Sequence, residues 1–280
     1  MWNKFIIKIK KILYPIYAYK EWLFKIYIEK KTAPKFTNKN FKIPLIVYQM
    51  WINNVFPKTL GKQIKNFRNL NPDVEFILMS HNEVNQYMLE FYKDHQIYKI
   101  FQKAKYYQIK ADIFRYCILH ERGGIWFDIK SSLKIPITQL FNCNSEAIIS
   151  YEKNDINFNK NNNFKSSRIF QYPNKKILIW GLAFCKKNVI LKNIIEAICL
   201  NYKNFKNKIF LNPKNAILDF TGTHLFTKIV KQEMMRNNFM KIQQLGIDFN
   251  SYGEYQMKGS SLRYYMRPDY SNDKNQIIIN

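Results

Sequence analysis

The chain has 280 residues, of which 47% are hydrophobic, 16% aromatic and 23% charged, with 8 Gly and 9 Pro; this excludes a disordered, collagen-like or linker chain. Lys and Arg number 45 against 20 Asp and Glu, a net charge of +25 that draws anions such as nucleic acid, acidic lipid or a nucleotide diphosphate. The same lysine excess also fits a basic solvated surface with no single partner. Cys117, Cys143, Cys185 and Cys199 form no C-x-x-C pair and have no histidine cluster nearby, so neither a disulfide framework nor a zinc site is expected, and a reducing compartment is.

Residues 1–36 form a basic aromatic N-terminal segment. Its longest uncharged stretch, 12–19, is far short of the roughly 20 residues that a spanning helix needs. No clean apolar region with a small-residue cleavage site follows the early lysines. Lysines interleaved with Trp2, Phe5, Trp22, Phe24 and Tyr27 suit a helix lying on an anionic membrane surface. The other reading is a helix packed on its own domain, with the lysines reaching water.

Residues 37–280 read as one α/β domain. The run IPLIVYQMW (43–51) has the character of a strand buried on both faces. A helix over 60–70 stops at Asn71-Pro72, and a strand over 74–79 leads into Ser80 and Glu83, the two ends of a capping box. The following helix reaches Tyr92. A longer helix over 97–121 stops at Gly123-Gly124, where the second glycine opens a strand over 125–128. The asparagine-rich 153–168 reads as a mobile surface loop, 177–184 as a strand, and 189–202 and 224–235 as helices, with an irregular, tyrosine-rich last forty residues. This alternation predicts a mostly parallel sheet covered by helices on both faces.

The chemistry concentrates in KADIFRYCILHERGGIWFDIK (110–130). Asp112 and Arg115, three apart on a helix, share a face. Asp128 ends a strand, and open α/β sheets bind ligands beyond the carboxyl ends of their strands. Asp128 is therefore expected at a ligand mouth with Asp112 and Arg115 behind it, and Trp51, ending an earlier strand, at the same edge. A plain surface ion pair for Asp112–Arg115, a core role for Trp51 and a turn role for Asp128 are the structural alternatives.

The segment A-D-x-x-R-Y-x-x-L-x-x-x-G-G-I-W-x-D resembles the signature of glycosyltransferases with a DXD motif. The group includes capsular-polysaccharide transferases and the initiating α-1,6-mannosyltransferases, with the large clostridial glucosylating toxins as more distant relatives. I-P-L-I-V-Y-Q-M-W and N-P-D-V-E resemble two further motifs of that family in the same order, over roughly residues 43 to 140, and G-L-A-F-C-K-K-N and T-G-T-H are weaker matches downstream. The resemblance implies a GT-A fold, a Rossmann-like domain that binds a UDP- or GDP-sugar. It implies that Trp51 stacks on the base, that Asp112 holds the sugar hydroxyls, that Arg115 contacts sugar and diphosphate, and that Asp128 binds ribose and a divalent metal. Asp112, Arg115 and Asp128 are on this reading the catalytic residues, and transfer retains the anomeric configuration. The leaving phosphate then helps to deprotonate the acceptor hydroxyl.

The chain departs from that pattern at Lys130, where the second carboxylate of the motif would stand, and at Tyr48, which replaces a histidine. If 128–130 continues the strand, Lys130 shares a face with Asp128 and could neutralise the diphosphate in place of part of the Mn²⁺ or Mg²⁺ charge. Lys130 pointing to bulk solvent, a metal held by Asp128 with other ligands, and a homologue that binds donor without turnover are the alternatives. The expected acceptor is a surface glycan or a lipid-linked sugar, and the expected location is cytoplasmic, peripheral on the inner membrane face. Nucleic acid is not an expected partner, since no recognition motif accompanies the charge.

Overall fold

Short apolar runs alternate with amphipathic segments in a layered α/β domain, seen in a computed structural model that describes residues 14–36, 40–156, 169–236, 240–265 and 275–278. The first half holds α1 (14–23), β1 (Ile26–Tyr27), β2 (Lys31–Thr32), β3 (Ile46–Met50), β4 (Val55–Phe56), α2 (Lys58–Leu70), β5 (Glu75–Met79), α3 (His81–Tyr92), α4 (Gln96–Lys103), α5 (Tyr107–Arg122), β6 (Gly124–Phe127) and β7 (Ser131–Leu133). The second half adds α6 (Ile137–Leu140), β8 (Ala147–Asp155), β9 (Lys175–Ile177), β10 (Gly181–Phe184), α7 (Val189–Phe205), β11 (Ile209–Phe210), α8 (Pro213–Phe220), α9 (Thr223–Arg236), β12 (Ile242–Ile247), β13 (Gly253–Tyr255), a 3₁₀ turn (Ser260–Tyr265) and β14 (Asn275–Gln276).

The central eight-stranded sheet has the order β12-β8-β10-β6-β3-β5-β2, with β9 added on β8. β3 is parallel to β5 and β6, and β12 is parallel to β8. β10 runs antiparallel between β6 and β8. It follows that β3, β5, β6, β8 and β12 all point the same way, and their carboxyl ends share one edge. The α/β expectation holds, and the pairing is mixed because β10 is inserted in reverse and β2 and β9 add antiparallel to β5 and β8. Strand alternation splits the core. Tyr48 and Trp126 face a layer with Phe114, Ile194 and Phe226, while Val47, Ile125 and Phe127 face Phe67, Phe76 and Phe249.

Several local signals fold as expected. Ser80 and Glu83 form a reciprocal capping box at the start of α3. Gly123 and Gly124 have φ of +67° and +113°, and a Cβ on Gly124 would lie 2.9 Å from the Ile46 carbonyl, so the α5–β6 turn requires glycine.

Others are corrected. The helix expected over 97–121 is two helices. Ala104 leaves helical geometry at ψ 120° to bridge Ile278, and the Lys105 amide donates to the Ile277 carbonyl at 3.0 Å, so the C-terminal segment competes for the backbone. The strand expected over 177–184 is likewise split into β9 and β10 by 178–180, where the Ile179 carbonyl accepts from Arg115 instead of a strand neighbour. The last forty residues are not irregular throughout: β12, despite Gln243 and Gln244, is an edge strand of the central sheet. Within the loop expected over 153–168, β8 continues to Asp155, and 157–168 lie outside the described residues.

The N-terminal segment touches the domain through α1, β1 and β2. Glu21, almost fully buried, accepts from the Thr59 amide and hydroxyl, both at 2.7 Å, and so caps α2 from outside it. Strand β2 pairs with β5 at the sheet edge. The face of α1 that carries Tyr19 is exposed, as is Phe24 just beyond the helix. Glu21→Ala is expected to cost about 1–2 kcal/mol in urea denaturation of the full chain, the usual loss for a helix cap; an unchanged midpoint would detach α1 from the stability of the domain.

Candidate functional site

Helix α5 descends from the carboxyl-end edge of the sheet, which places Asp112 and Arg115 near its upper end and Asp128 just beyond β6. The four residues of β6, GIWF, are all buried, so this strand is fixed in depth and delivers Asp128 at a defined height. Arg115 then spans the gap. Its Nη2 lies 3.2 Å from Asp112 Oδ1 and 3.3 Å from Asp128 Oδ1. Nε donates to the Ala111 carbonyl at 3.4 Å and Nη1 to the Ile179 carbonyl, while the guanidinium sits 5.1 Å from the Trp126 ring centre.

Both carboxylates have further holders. Trp126 Nε1 donates to Asp128 Oδ1 at 3.0 Å, and Thr221 Oγ1 donates to Asp112 Oδ2 at 2.9 Å. The Asp128 amide donates to the Trp180 carbonyl at 2.8 Å, which ties the end of β6 to the start of β10. The pair expected on α5 is therefore no surface ion pair. The side chains of Asp112 and Arg115 are 7% and 6% exposed, whereas that of Asp128 is 23% exposed and is the member of the cluster that meets solvent.

Burial pushes the Asp112 carboxyl up to about 7; Arg115 and Thr221 pull it down, and Asp128 adds to the rise. For Arg115, burial works against the charge, but Asp128 and Asp112 outweigh it and hold the guanidinium above its ordinary value. A rigid, partly exposed carboxylate backed by a buried cation can accept hydrogen bonds from a polyol without losing its own orientation.

Lys130 sits elsewhere than strand alternation implies. The chain leaves β6 in a tight turn, with the Ser131 amide and hydroxyl donating to the Asp128 carbonyl at 2.8 and 2.7 Å. The same-face argument for Lys130 therefore fails. Its Nζ instead donates to the Tyr255 hydroxyl at 2.8 Å, brought there because β13 pairs with β7, and Tyr255 stacks on Trp180 at 5.7 Å. Trp51 directly follows β3 at the same edge of the sheet but packs on Phe56, with ring centres 5.9 Å apart, among Leu60, Ile129 and Met257.

The donor set does not fit a directly held divalent cation. Among the described residues no three His, Cys, Asp or Glu side chains gather as ligands. Asp128 Oδ1 is already held by Arg115 and Trp126, and the side chain two residues on, Lys130, carries an ammonium that cannot ligate a cation.

Thr221, Trp126, Trp180 and Tyr255 complete the site. Thr221 lies in the T-G-T-H stretch, which marks it in the sequence. Trp180 flanks a recognisable strand, and nothing in the sequence joins Tyr255 to Lys130.

Residues 57–153 match the family described as glycosyltransferase sugar-binding region containing DXD motif. Two Schizosaccharomyces pombe proteins are similar over part of the chain. Inositol phosphoceramide mannosyltransferase 1 is 28% identical over 102 residues, covering 35% of this chain and 31% of that protein. Inositol phosphoceramide mannosyltransferase 3 is 33% identical over 97 residues, covering 34% and 26%. The matched part thus spans less than a third of those relatives' length. Among solved structures, the PaToxG glycosyltransferase has a TM-score of 0.47 at 15% identity, covering 84% of this chain and 81% of that one. The ligand-free glycosyltransferase domain of the YGT toxin has a TM-score of 0.48 at 11% identity, covering 75% and 81%. Asp112, Arg115 and Asp128 all lie inside the stretch that matches the sugar-binding region.

The Asp112 shift has a signed consequence. With a folded value near 7 against an ordinary 3.8, the folded state holds a proton that the unfolded state has lost across that window, so stability falls as pH rises through it. Relative to Asp112→Asn, the parent chain is expected to lose stability between about pH 4 and 7 in denaturant titrations and to level off above. A difference that does not change with pH would place the ionised carboxylate in the folded state throughout.

Proposed function

We propose that the chain is a GT-A-type glycosyltransferase that moves a hexose from a UDP- or GDP-sugar to a hydroxyl of a glycan or lipid-linked acceptor, with retention, in surface polysaccharide or lipopolysaccharide synthesis. The observation that carries this reading is the Asp112–Arg115–Asp128 cluster at the carboxyl ends of parallel strands, inside the matched sugar-binding region. Asp128 binds the donor. Arg115 is the positioning residue that fixes it, and Asp112, held by Arg115 and Thr221, takes the sugar hydroxyls from behind. Trp51, at the same edge, flanks the base.

As the glycosidic bond breaks, the acceptor oxygen bonds to the anomeric carbon and its proton passes to the leaving phosphate. That phosphate gathers charge, which a cation must offset. Lys130 is the cation at the turn after Asp128, and we assign it that part; a divalent metal, where the family uses one, supplies the same charge. The names of the fission-yeast relatives, with inositol phosphoceramide in them, support a lipid-borne acceptor, and we propose a peripheral place on a membrane for this chain. Among the described residues no helix is long and apolar enough to cross one.

The Lys130–Tyr255 contact favours a second reading, a nucleotide-sugar binder without turnover, since it engages the ammonium that would otherwise offset charge on the leaving phosphate. A thermal-shift screen of UDP, GDP and their sugars, with EDTA or Mn²⁺, combined with a hydrolysis or transfer assay, separates the readings. A donor at a hundred times its dissociation constant adds about 2.7 kcal/mol. The expected result is a nucleotide-selective shift that survives EDTA, with turnover; a shift with no turnover leaves the silent binder, and no shift with any nucleotide sinks both. Asp128→Asn is expected to remove the shift and lower transfer at least about a hundredfold, the scale set by loss of a transition-state contact. Lys130→Asp is expected to make the shift depend on Mn²⁺.

A further inference from the structure

At the far end of α7 the surface changes character. Ile209 and Leu211 are 70% and 77% exposed, and Leu200 on α7 is 75% exposed. Strand alternation accounts for the first two. Phe210 turns inward to stack on Phe205 at 5.8 Å, and Phe205 stacks on Phe220 at 4.6 Å, so the neighbours of Phe210 are forced outward. Pairing of β11 with β14 holds the strand in that orientation. The exposed side chains are thus presented by a fixed element.

Positive charge surrounds them. Lys203, Lys206, Lys208 and Lys214 lie in the same stretch, and 203–214 contains no acidic residue. Beside it Lys99, Lys103 and Lys206, with Tyr202, Gln96 and Asp94, line a recess of about 490 Å³. None of these lysines forms an ion pair with a carboxylate among the described residues. Exposed aliphatic tips ringed by unpaired ammonium groups, with a basic recess at their side, complement an anionic bilayer: the apolar tips enter the headgroup boundary and the lysines meet the phosphates.

The patch stands close to the candidate site. It opens directly into α8, whose eight residues span about 12 Å and end at Thr221, the residue that holds Asp112. We propose that the α7–β11–α8 edge docks the chain on an anionic membrane surface. Docking there brings the mouth beside Asp128 within one short helix of the lipid plane, where a membrane-borne acceptor would stand. The docking claim does not rest on the transfer reaction, because its readout is partition alone.

Sedimentation of the full chain with vesicles of phosphatidylcholine, and of phosphatidylcholine with phosphatidylglycerol, tests it. The expected result is selective partition to the anionic vesicles, reduced at least about tenfold by the double variant Ile209→Ser, Leu211→Ser, because two exposed aliphatic anchors are lost. Should that variant melt lower than the parent, Lys203→Glu with Lys208→Glu, both on exposed positions, is expected to give a comparable loss at unchanged melting temperature. Partition unchanged by both double variants overturns the proposal. So does a loss produced only by Tyr19→Ser with Phe24→Ser on the N-terminal segment, and so does binding of RNA with no binding to either vesicle.

Discussion

Arg115 joins two parts of the chain that the backbone alone would leave separate, the upper turn of α5 and the turn that follows β6. One guanidinium nitrogen lies against both Asp112 and Asp128, and the other donors of the group go to the Ala111 and Ile179 carbonyls. A buried cation is stable only when it is surrounded in this way, because removing one partner of a buried pair costs about 3–5 kcal/mol. The cluster is therefore an all-or-none unit. Its burial raises Asp112 while its two carboxylates hold Arg115 charged, and the orientation of Asp128 follows from both.

Around that unit the second half of the chain acts as a frame. Thr221, between α8 and α9, fixes Asp112, and the Tyr116 hydroxyl donates to the Thr221 carbonyl at 2.8 Å, which locks the same corner from below. The 178–180 segment between β9 and β10 supplies the carbonyl of Ile179 to Arg115 and that of Trp180 to the Asp128 amide. Inserting β10 in reverse between β6 and β8 is what places this segment over the cluster. The mixed pairing of the sheet is thus part of how the site is built.

Lys130 sets the charge two residues beyond Asp128. A carboxylate at that position would add negative charge and call for a divalent cation; the ammonium brings positive charge directly and takes Tyr255 as a neighbour. In the proposed transfer the same position then answers the diphosphate. The edge of the molecule that carries α7, β11 and α8 is a separate basic surface, with aliphatic tips that a basic surface meant only for solvent would not require.

Local residue order was enough for the α/β class, the strand leading to Asp128, the glycine turn before it, the capping box at Ser80 and the shared face of Asp112 and Arg115. Each of these is set by neighbours within a few residues, through side-chain period, capping geometry or the need for positive φ. Tertiary structure decided the rest. Whether 97–121 was one helix depended on Ile277 and Ile278, far along the chain, and whether the polar IQQLGI was a strand depended on an open edge at β8. Lys130 found Tyr255 only because β13 returned to pair with β7. That Asp112 and Arg115 stand behind Asp128 was legible from helix and strand periodicity, whereas the burial of Arg115 against both carboxylates was not, since spacing places residues on faces while packing alone decides which faces meet and exclude water.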